Sequence, residues 1–376
     1  MNCYLPSDEY PAIVLENGSA SCRVGFCGDD APACVFPNII GRRKTGDGSS
    51  YIGYEAQDRR ELLSLRYPIE HGIVTDWEDM EKIWNFAFFG DLQASPEQHP
   101  ILTTEAPLNP KGNRQKMAQV MFETYQTPAF YCVFEPLLVV LSAGRVTATI
   151  VNVGDGISYV VPIYDGYTPA VVTRQDLGGR DLTLALQRQL HKAGHSFTTS
   201  SELDVVREMK EATCFVANDK TVSSSPQSKV VGGTEQSYRL PDGTSIQLSS
   251  ERHLVPEILF RPDGVVNTGK GLGQMVQESI NNCSMDVRGQ LYKDIVLAGG
   301  TTLMDGFGMR LQQDVAQLAP HVGQKVKVRY SPERKYHVWL GGSILASLST
   351  FTPLWVTRQE YQEFGPEIVH RKALTG

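Results

Sequence analysis

Apolar positions along the chain fall into two textures. Short dense runs such as Ile13-Val14-Leu15, Cys22 to Phe26, Ile101-Leu102-Thr103-Thr104 and the stretch 147–164 predict strands, and a further strand is expected over 169–173. Elsewhere the spacing is helical. Met80 to Phe89 places Trp84 and Phe88 four positions apart, and Asn113 to Tyr125 reads as a second helix that ends before Pro128. Asp181 to Ala193 and Ser200 to Thr213 form another helical pair, with Asp181 in a first turn, Ser200 as a cap, and Leu203 and Val206 on one face. Tyr238 to Ile246, around Pro241-Asp242-Gly243, predicts a hairpin. Strands and helices recur in the same order in two halves, which gives an α/β fold class.

The polar interruptions carry as much information. Gly41 to Ser50 reads as an exposed loop with no core residues, and 218–237, rich in Ser, Gly and Lys, as a surface excursion. Two Gly-acid turns stand out: Glu16-Asn17-Gly18-Ser19 and Val153-Gly154-Asp155-Gly156, each between two strand-like runs. A strand, a tight turn and a second strand leave several backbone N–H groups in a concave row, which binds anions, phosphate above all. Two such turns in a duplicated layout predict a phosphate chain clamped between two halves. Gly299-Gly300-Thr301 follows a third buried run, Ile295 to Ala298, and Gly341-Gly342 lies in another apolar segment; both predict close backbone approach, by a ligand or by a helix start.

At 376 residues the chain exceeds one ordinary core, so two related lobes or several subdomains are expected. The net charge of −7 argues against nonspecific nucleic-acid binding and against an anionic membrane surface. The longest apolar stretch, Ala129 to Ala143, is broken by Glu135-Pro136 and falls short of the roughly 20 residues a membrane span needs, and no signal peptide opens the chain. The seven Cys show no zinc-like pairing, so reduced thiols in a reducing compartment are expected.

Further segments carry a resemblance to the actin family over nearly the whole chain. They are Gly25 to Pro32, Tyr67-Pro68-Ile69-Glu70-His71-Gly72, Thr104 to Pro110, Met121 to Thr124, Gly299-Gly300-Thr301-Thr302, Glu333-Arg334-Lys335-Tyr336 with Trp339, and Gly365-Pro366 to Lys372. Phe36-Pro37-Asn38, Leu62 to Arg66, His99 to Leu102, Leu259 to Asp263 and Gly306-Phe307-Gly308 resemble centractin, the actin-related branch found in the dynactin filament. The resemblance implies an actin-like ATPase fold of two lobes and four subdomains, with ATP or ADP and Mg²⁺ (or Ca²⁺) in a central cleft. It implies 1–32, 68–142 and 334–376 for subdomain 1, with the first phosphate turn and a partner groove, and 33–67 for subdomain 2, with a shortened subunit-contact loop. Subdomain 3 would span 143–178 and 265–333, with the second phosphate turn, and subdomain 4 would span 179–264. The implied phosphate contacts are Gly18, Ser19, Ala20, Ser21, Arg23, Gly154, Asp155, Gly156 and Ile157. Gly179, Arg207, Lys210, Glu211, Gly299, Gly300, Thr301, Met304 and Lys335 would surround the nucleoside.

Against the family pattern, Glu16 stands at an Asp position, Asn152 at a second Asp, Glu135 at the Gln that orients water, Tyr159 at a His, Arg23 at a Lys and Met304 at a Tyr. Glu16, Glu135 and Asn152 are expected to hold the cation through water, because Mg²⁺ beside phosphates needs only one or two carboxylates. Glu135 and Tyr159 are expected to position the attacking water, and the changes imply altered, slow hydrolysis. Pro136 is expected to keep Glu135 extended. Loss of function at the same site is the alternative.

The shortened loop 42–50 and the glycine-rich 264–273, where the family has an apolar plug, weaken the expected contacts between subunits. The resemblance therefore implies a cytoskeletal subunit of a filament or filament-containing complex, with other actin-family subunits and actin-binding or dynactin-type proteins as partners at 340–355. The alternatives are a divergent actin forming dynamic filaments, a non-polymerising regulatory subunit, in the nucleus or elsewhere, and a small-molecule kinase built on the same turns. His191 and His195 read as a solvated helix end, His71 as a structural or modified residue, Lys325, Lys327 and Arg329 as a solvated strand face, and the sparse acidic start, Asp8 and Glu9, disfavours a myosin-type partner.

Overall fold

A computed structural model of the chain describes residues 10–44, 49–168, 172–217, 235–262, 269–319 and 325–372. Eleven strands form two large sheets: β1 (Ile13–Asn17), β2 (Ser21–Phe26), β3 (Cys34–Pro37), β4 (Ile101–Glu105), β5 (Ala129–Phe134), β6 (Ala148–Val153), β7 (Ser158–Ile163), β8 (Thr173–Gln175), β9 (Ile295–Ala298), β10 (Val328–Arg329) and β11 (Val356–Thr357). One sheet runs β3-β2-β1-β4-β5-β11 and the other β8-β7-β6-β9-β10. In each, an antiparallel hairpin (β1/β2, β6/β7) gains a third antiparallel strand on one side and two parallel strands on the other. The second sheet repeats the first, and β11 is an added edge on β5.

Strand periodicity sets the layers, because successive side chains point to opposite faces. Ile13 and Leu15 enter a core under the helices Trp77–Asn85 and Lys111–Gln119, while Val14 faces the space between the sheets. In the second sheet Val151 and Val153 face the outer core and Ile150 the central one. That central layer holds two helices, α1 (Glu135–Ser142) and α2 (His337–Ser347). They cross where a Cβ on Gly341 would lie 2.0 Å from the Leu138 carbonyl oxygen, and one on Gly342 2.8 Å from Val14. Gly341-Gly342 thus serves helix packing rather than a ligand. Trp339 is fully buried there and its Nε1 donates to the Val14 carbonyl at 3.1 Å, which ties α2 to β1.

Several local expectations need correction. Ser200 does not cap its helix; Thr199 does, in a reciprocal pair with Glu202, because the hydroxyl one residue earlier meets the Glu202 N–H. Ser200 Oγ instead accepts the Leu65 N–H at 3.0 Å. The expected loop from Gly41 is narrower: Ile40–Arg43 and Ser50–Ile52 pair as strands, and Gly41 is buried against Leu63, while 45–48 lie outside the described residues. Residues 236 and 237 belong to the hairpin strand Gln236–Arg239, and the rest of the 218–237 excursion, up to 234, is outside the described residues. So are 264–268 of the glycine-rich segment, 169–171 of the expected strand, and Asp8 and Glu9. Glu135 is not extended; it opens α1, and Pro136 occupies an early helical position where its missing N–H costs nothing. The six described cysteines are free, and no helix among the described residues is long and apolar enough to cross a membrane.

The α1–α2 crossing generates a test. Gly341→Ala should destabilise the protein by about 1–3 kcal/mol through overpacking. Gly289→Ala, where an added Cβ meets nothing within 4 Å, should leave the urea midpoint unchanged or raise it.

Candidate functional site

The two hairpin turns face each other. The Gly18 N–H donates to the Ser21 carbonyl at 3.0 Å, and the Gly154 N–H to the Ile157 carbonyl at 2.9 Å. With both turns closed in this way, the N–H groups of Ser19, Ala20, Asp155 and Gly156 have no protein acceptor among the described residues. The turns are locked together through a third segment. Ser19 Oγ accepts the Gly72 N–H at 3.2 Å, and His71 Nδ1 donates to the Gly156 carbonyl at 2.8 Å. His71 is therefore structural, as expected from its segment. A Cβ on Gly156 would stand 2.5 Å from Ser19 Oγ and 3.0 Å from His71 Cα, so a larger residue would force the turns apart.

Between the lobes lies a cavity of about 1400 Å³. Gly18, Ser19, Ala20, Ser21, Arg23, Gly154 to Ile157, Arg207, Lys210, Glu211, Gly299, Gly300, Thr301, Met304 and Lys335 all line it, as do Glu16, Glu135 and Asn152. Two expected residues do not reach its wall. Gly179 lies behind it, where its carbonyl accepts from Lys210 Nζ at 2.7 Å. Tyr159 is fully buried behind Glu135. Gly299, at φ +89°, passes 2.3 Å (as a Cβ distance) from the Val153 carbonyl, and Thr301 Oγ1 donates to the Gly154 carbonyl at 2.8 Å. The third glycine run is thereby pinned to the second turn. Gly300 has open space around it.

Burial dominates the electrostatics. Lys210 is buried, its Nζ held by Gly179 and by Thr183 Oγ1 at 3.0 Å, and burial lowers its pKa. Glu16 and Arg23 are cross-strand partners in the first hairpin and form an ion pair. Burial raises the Glu16 carboxyl, while the Arg23 charge and the Trp339 backbone N–H oppose the rise. Glu16 Oε2 and Arg23 Nε are buried without a partner among the described residues. In the second hairpin the equivalent cross-strand pair is Asn152 and Tyr159. The Tyr159 hydroxyl donates to Glu135 Oε2 at 3.1 Å, and burial keeps that phenol well above its ordinary value, hence protonated. Glu135 itself is pushed up to about 7, by burial first and by the Glu16 charge second.

Sequence reasoning missed several wall residues. Arg180 spans the cleft: it stacks on Tyr67 at 4.3 Å, pairs with Asp155 at 3.4 Å, and reaches the Ser19 carbonyl at 3.4 Å. Arg60, outside the wall, pairs with two residues that line it, Asp204 at 2.6 Å and Glu208 at 2.7 Å. Tyr336 underlies both Arg23 and Lys335, at 5.7 and 4.6 Å. Only Arg180, directly after Gly178-Gly179, carried a local signal; the others depend on long-range packing.

The family model for actin matches residues 7–374. The chain belongs to the actin family. The duplicated sheets and the helices around them agree with the actin-like ATPase fold. Proteins of the actin family generally bind a nucleotide with a divalent cation, so both halves of that ligand can be weighed against the residues present. The phosphate half fits, because paired turns with free N–H groups and a partly buried Arg face one cavity. The cation half does not. Arg23 already engages Glu16, Asn152 is neutral, and Glu135 accepts from Tyr159. Among the described residues no three His, Cys, Asp or Glu side chains are grouped to hold a metal.

Glu135 gives this site a pH signature. Folding raises its carboxyl from 4.5 to about 7, so the folded protein holds this proton more tightly than the unfolded chain. The resulting stability is complete below the unfolded value and is lost as pH rises through about 7. In ligand-free protein the unfolding free energy should fall by roughly 3 kcal/mol between about pH 4.5 and pH 8 on account of this group. Urea unfolding across that range should show the slope, and Glu135→Gln should flatten it.

Proposed function

We propose that this actin-family protein is a cytoskeletal subunit that holds ATP or ADP between its two lobes and assembles with other actin-family subunits. One observation carries the reading: two facing hairpin turns, locked through Gly72 and His71, offer unpaired N–H groups to one cavity. Gly18 to Ser21 would take one end of the phosphate chain and Gly154 to Ile157 the other. Arg23 would supply a fixed charge, and Lys210, Arg207, Glu211, Gly299, Gly300, Thr301, Met304 and Lys335 would enclose the nucleoside, with Gly179 behind them holding Lys210. The subdomain boundaries given above belong to the same proposal. The segments that resemble centractin favour a short filament or a filament-containing complex as the form of assembly. Ile344 and Leu348 remain exposed on and after α2, which supports a partner site at 340–355.

Hydrolysis is proposed to be slow. Glu135 stands where water would be oriented, but it is tied to Tyr159 and holds its proton to about pH 7. A protonated carboxyl cannot accept a proton from an attacking water, and its ionised form repels the terminal phosphate. Glu135, held by Tyr159 from behind, would therefore position water without activating it efficiently.

Two measurements check these readings. Nucleotide extracted from the gently purified protein should be mainly ATP, and Gly156→Val should reduce nucleotide affinity by about tenfold or more, near 1.4 kcal/mol. Protein free of nucleotide, with no affinity on readdition, would defeat the reading. In single-turnover assays phosphate release should be slow, and Glu135→Gln should change its rate by more than about threefold. An unchanged rate would remove Glu135 from the reaction.

A further inference from the structure

The first hairpin brings a positive charge of its own to the cleft. Glu16 and Arg23 face each other across β1 and β2, and both line the cavity. The Arg23 side chain is 13% exposed and lies over the Tyr336 ring at 5.7 Å. A guanidinium has five N–H donors in a rigid fork. Glu16 takes a bond from Nη1, Nε is buried away from the cavity, and Nη2 has no acceptor among the described residues. The fork therefore has donor capacity left for a phosphate oxygen while Glu16 keeps its place. At the corresponding position of the second hairpin Asn152 and Tyr159 bring no charge, and the Tyr159 hydroxyl is committed to Glu135.

A divalent cation beside phosphates works by placing positive charge among oxygens, and it is held by ionised carboxylates. Here the carboxylate of the first turn is occupied by a cation that belongs to the chain. A metal ion entering beside Glu16 would have to displace the Arg23 guanidinium or accept its repulsion at close range. Phosphate has the opposite preference, since Arg pairs with phosphate oxygens through charge-assisted, often bidentate bonds.

We propose that Arg23, positioned by Glu16, supplies the positive charge that neutralises the nucleotide's phosphates, so that this cleft binds ATP or ADP without a divalent cation. The inference rests on the nucleotide reading above and narrows it to the metal-free nucleotide. Arg23 is then the residue that determines the form of the ligand, and Glu16 is a positioning residue that fixes the guanidinium beside the first turn.

The test uses the full chain, stripped of nucleotide, and a fluorescent etheno-ATP titrated either with excess Mg²⁺ or with excess EDTA at matched ionic strength. The expected affinities in the two conditions agree within about threefold. Affinity present with Mg²⁺ and lost by more than about tenfold in EDTA would overturn the inference and leave the nucleotide reading standing. Affinity in neither condition would overturn both. Arg23→Met should lower the EDTA affinity by about tenfold or more, and Arg23→Lys should retain part of it. An Arg23→Met protein that is folded by circular dichroism and binds in EDTA as the parent does would remove Arg23 from the proposal. The comparison of Mg²⁺ with EDTA on the unaltered chain does not depend on either variant folding.

Discussion

Gly156 approaches Ser19 and His71 so closely that no side chain fits between them. This contact fixes the distance between the two sheets, because each turn is the tip of a hairpin anchored in its own core. Behind the tips, α1 and α2 fill the central layer, and their crossing at Gly341 sets the same spacing from the other side. The cavity is what remains once both constraints are met. Its walls are mainly backbone and small residues near the turns, and charged side chains farther out. The phosphate recognition proposed for the turns would then be a property of the backbone, which tolerates exchange of side chains around it.

That division explains which features were legible in the sequence. The hairpins, the glycine turns and the α/β alternation all rest on local rules, and Glu16-Asn17-Gly18-Ser19 and Val153-Gly154-Asp155-Gly156 are where the structure places the facing turns. Gly341-Gly342 carried the right physical signal, close backbone approach, but only packing decides that the approaching atom is the Leu138 carbonyl. The Ser200 cap failed by one residue because Thr199 and Ser200 compete for the same N–H, and Leu65 from a distant strand decides the outcome. Arg60 with Asp204, and Arg180 over Tyr67, join residues more than a hundred positions apart, and no periodicity announces them.

The Glu16–Arg23 pair lies between these extremes. Once a hairpin closed by Gly18 and Ser21 is assumed, antiparallel register sets Glu16 opposite Arg23, so the ion pair follows from the turn. What the register could not give is burial. In water the pair would matter little, whereas here both side chains are largely withdrawn from solvent, and separating them leaves a charge with no compensation. Burial also raises the Glu135 carboxyl, and the Glu16 charge adds to it.

The two hairpins therefore share one architecture and differ in charge. The first joins a carboxylate to a guanidinium, and the second an amide to a phenol. Duplication keeps the strand order, the turn closure and the free N–H groups, since all three are backbone features. It does not keep the cross-strand residues, where a single substitution changes what the turn can neutralise. A site built this way can retain its hold on phosphate while losing the groups that activate water. Phosphate binding uses donors that the fold fixes in advance, whereas hydrolysis needs an acceptor with a free lone pair at the right place. Glu135, held by Tyr159 and protonated up to about pH 7, lacks that freedom. On the proposed reading, a nucleotide held in this cleft would steady the two lobes rather than be consumed rapidly.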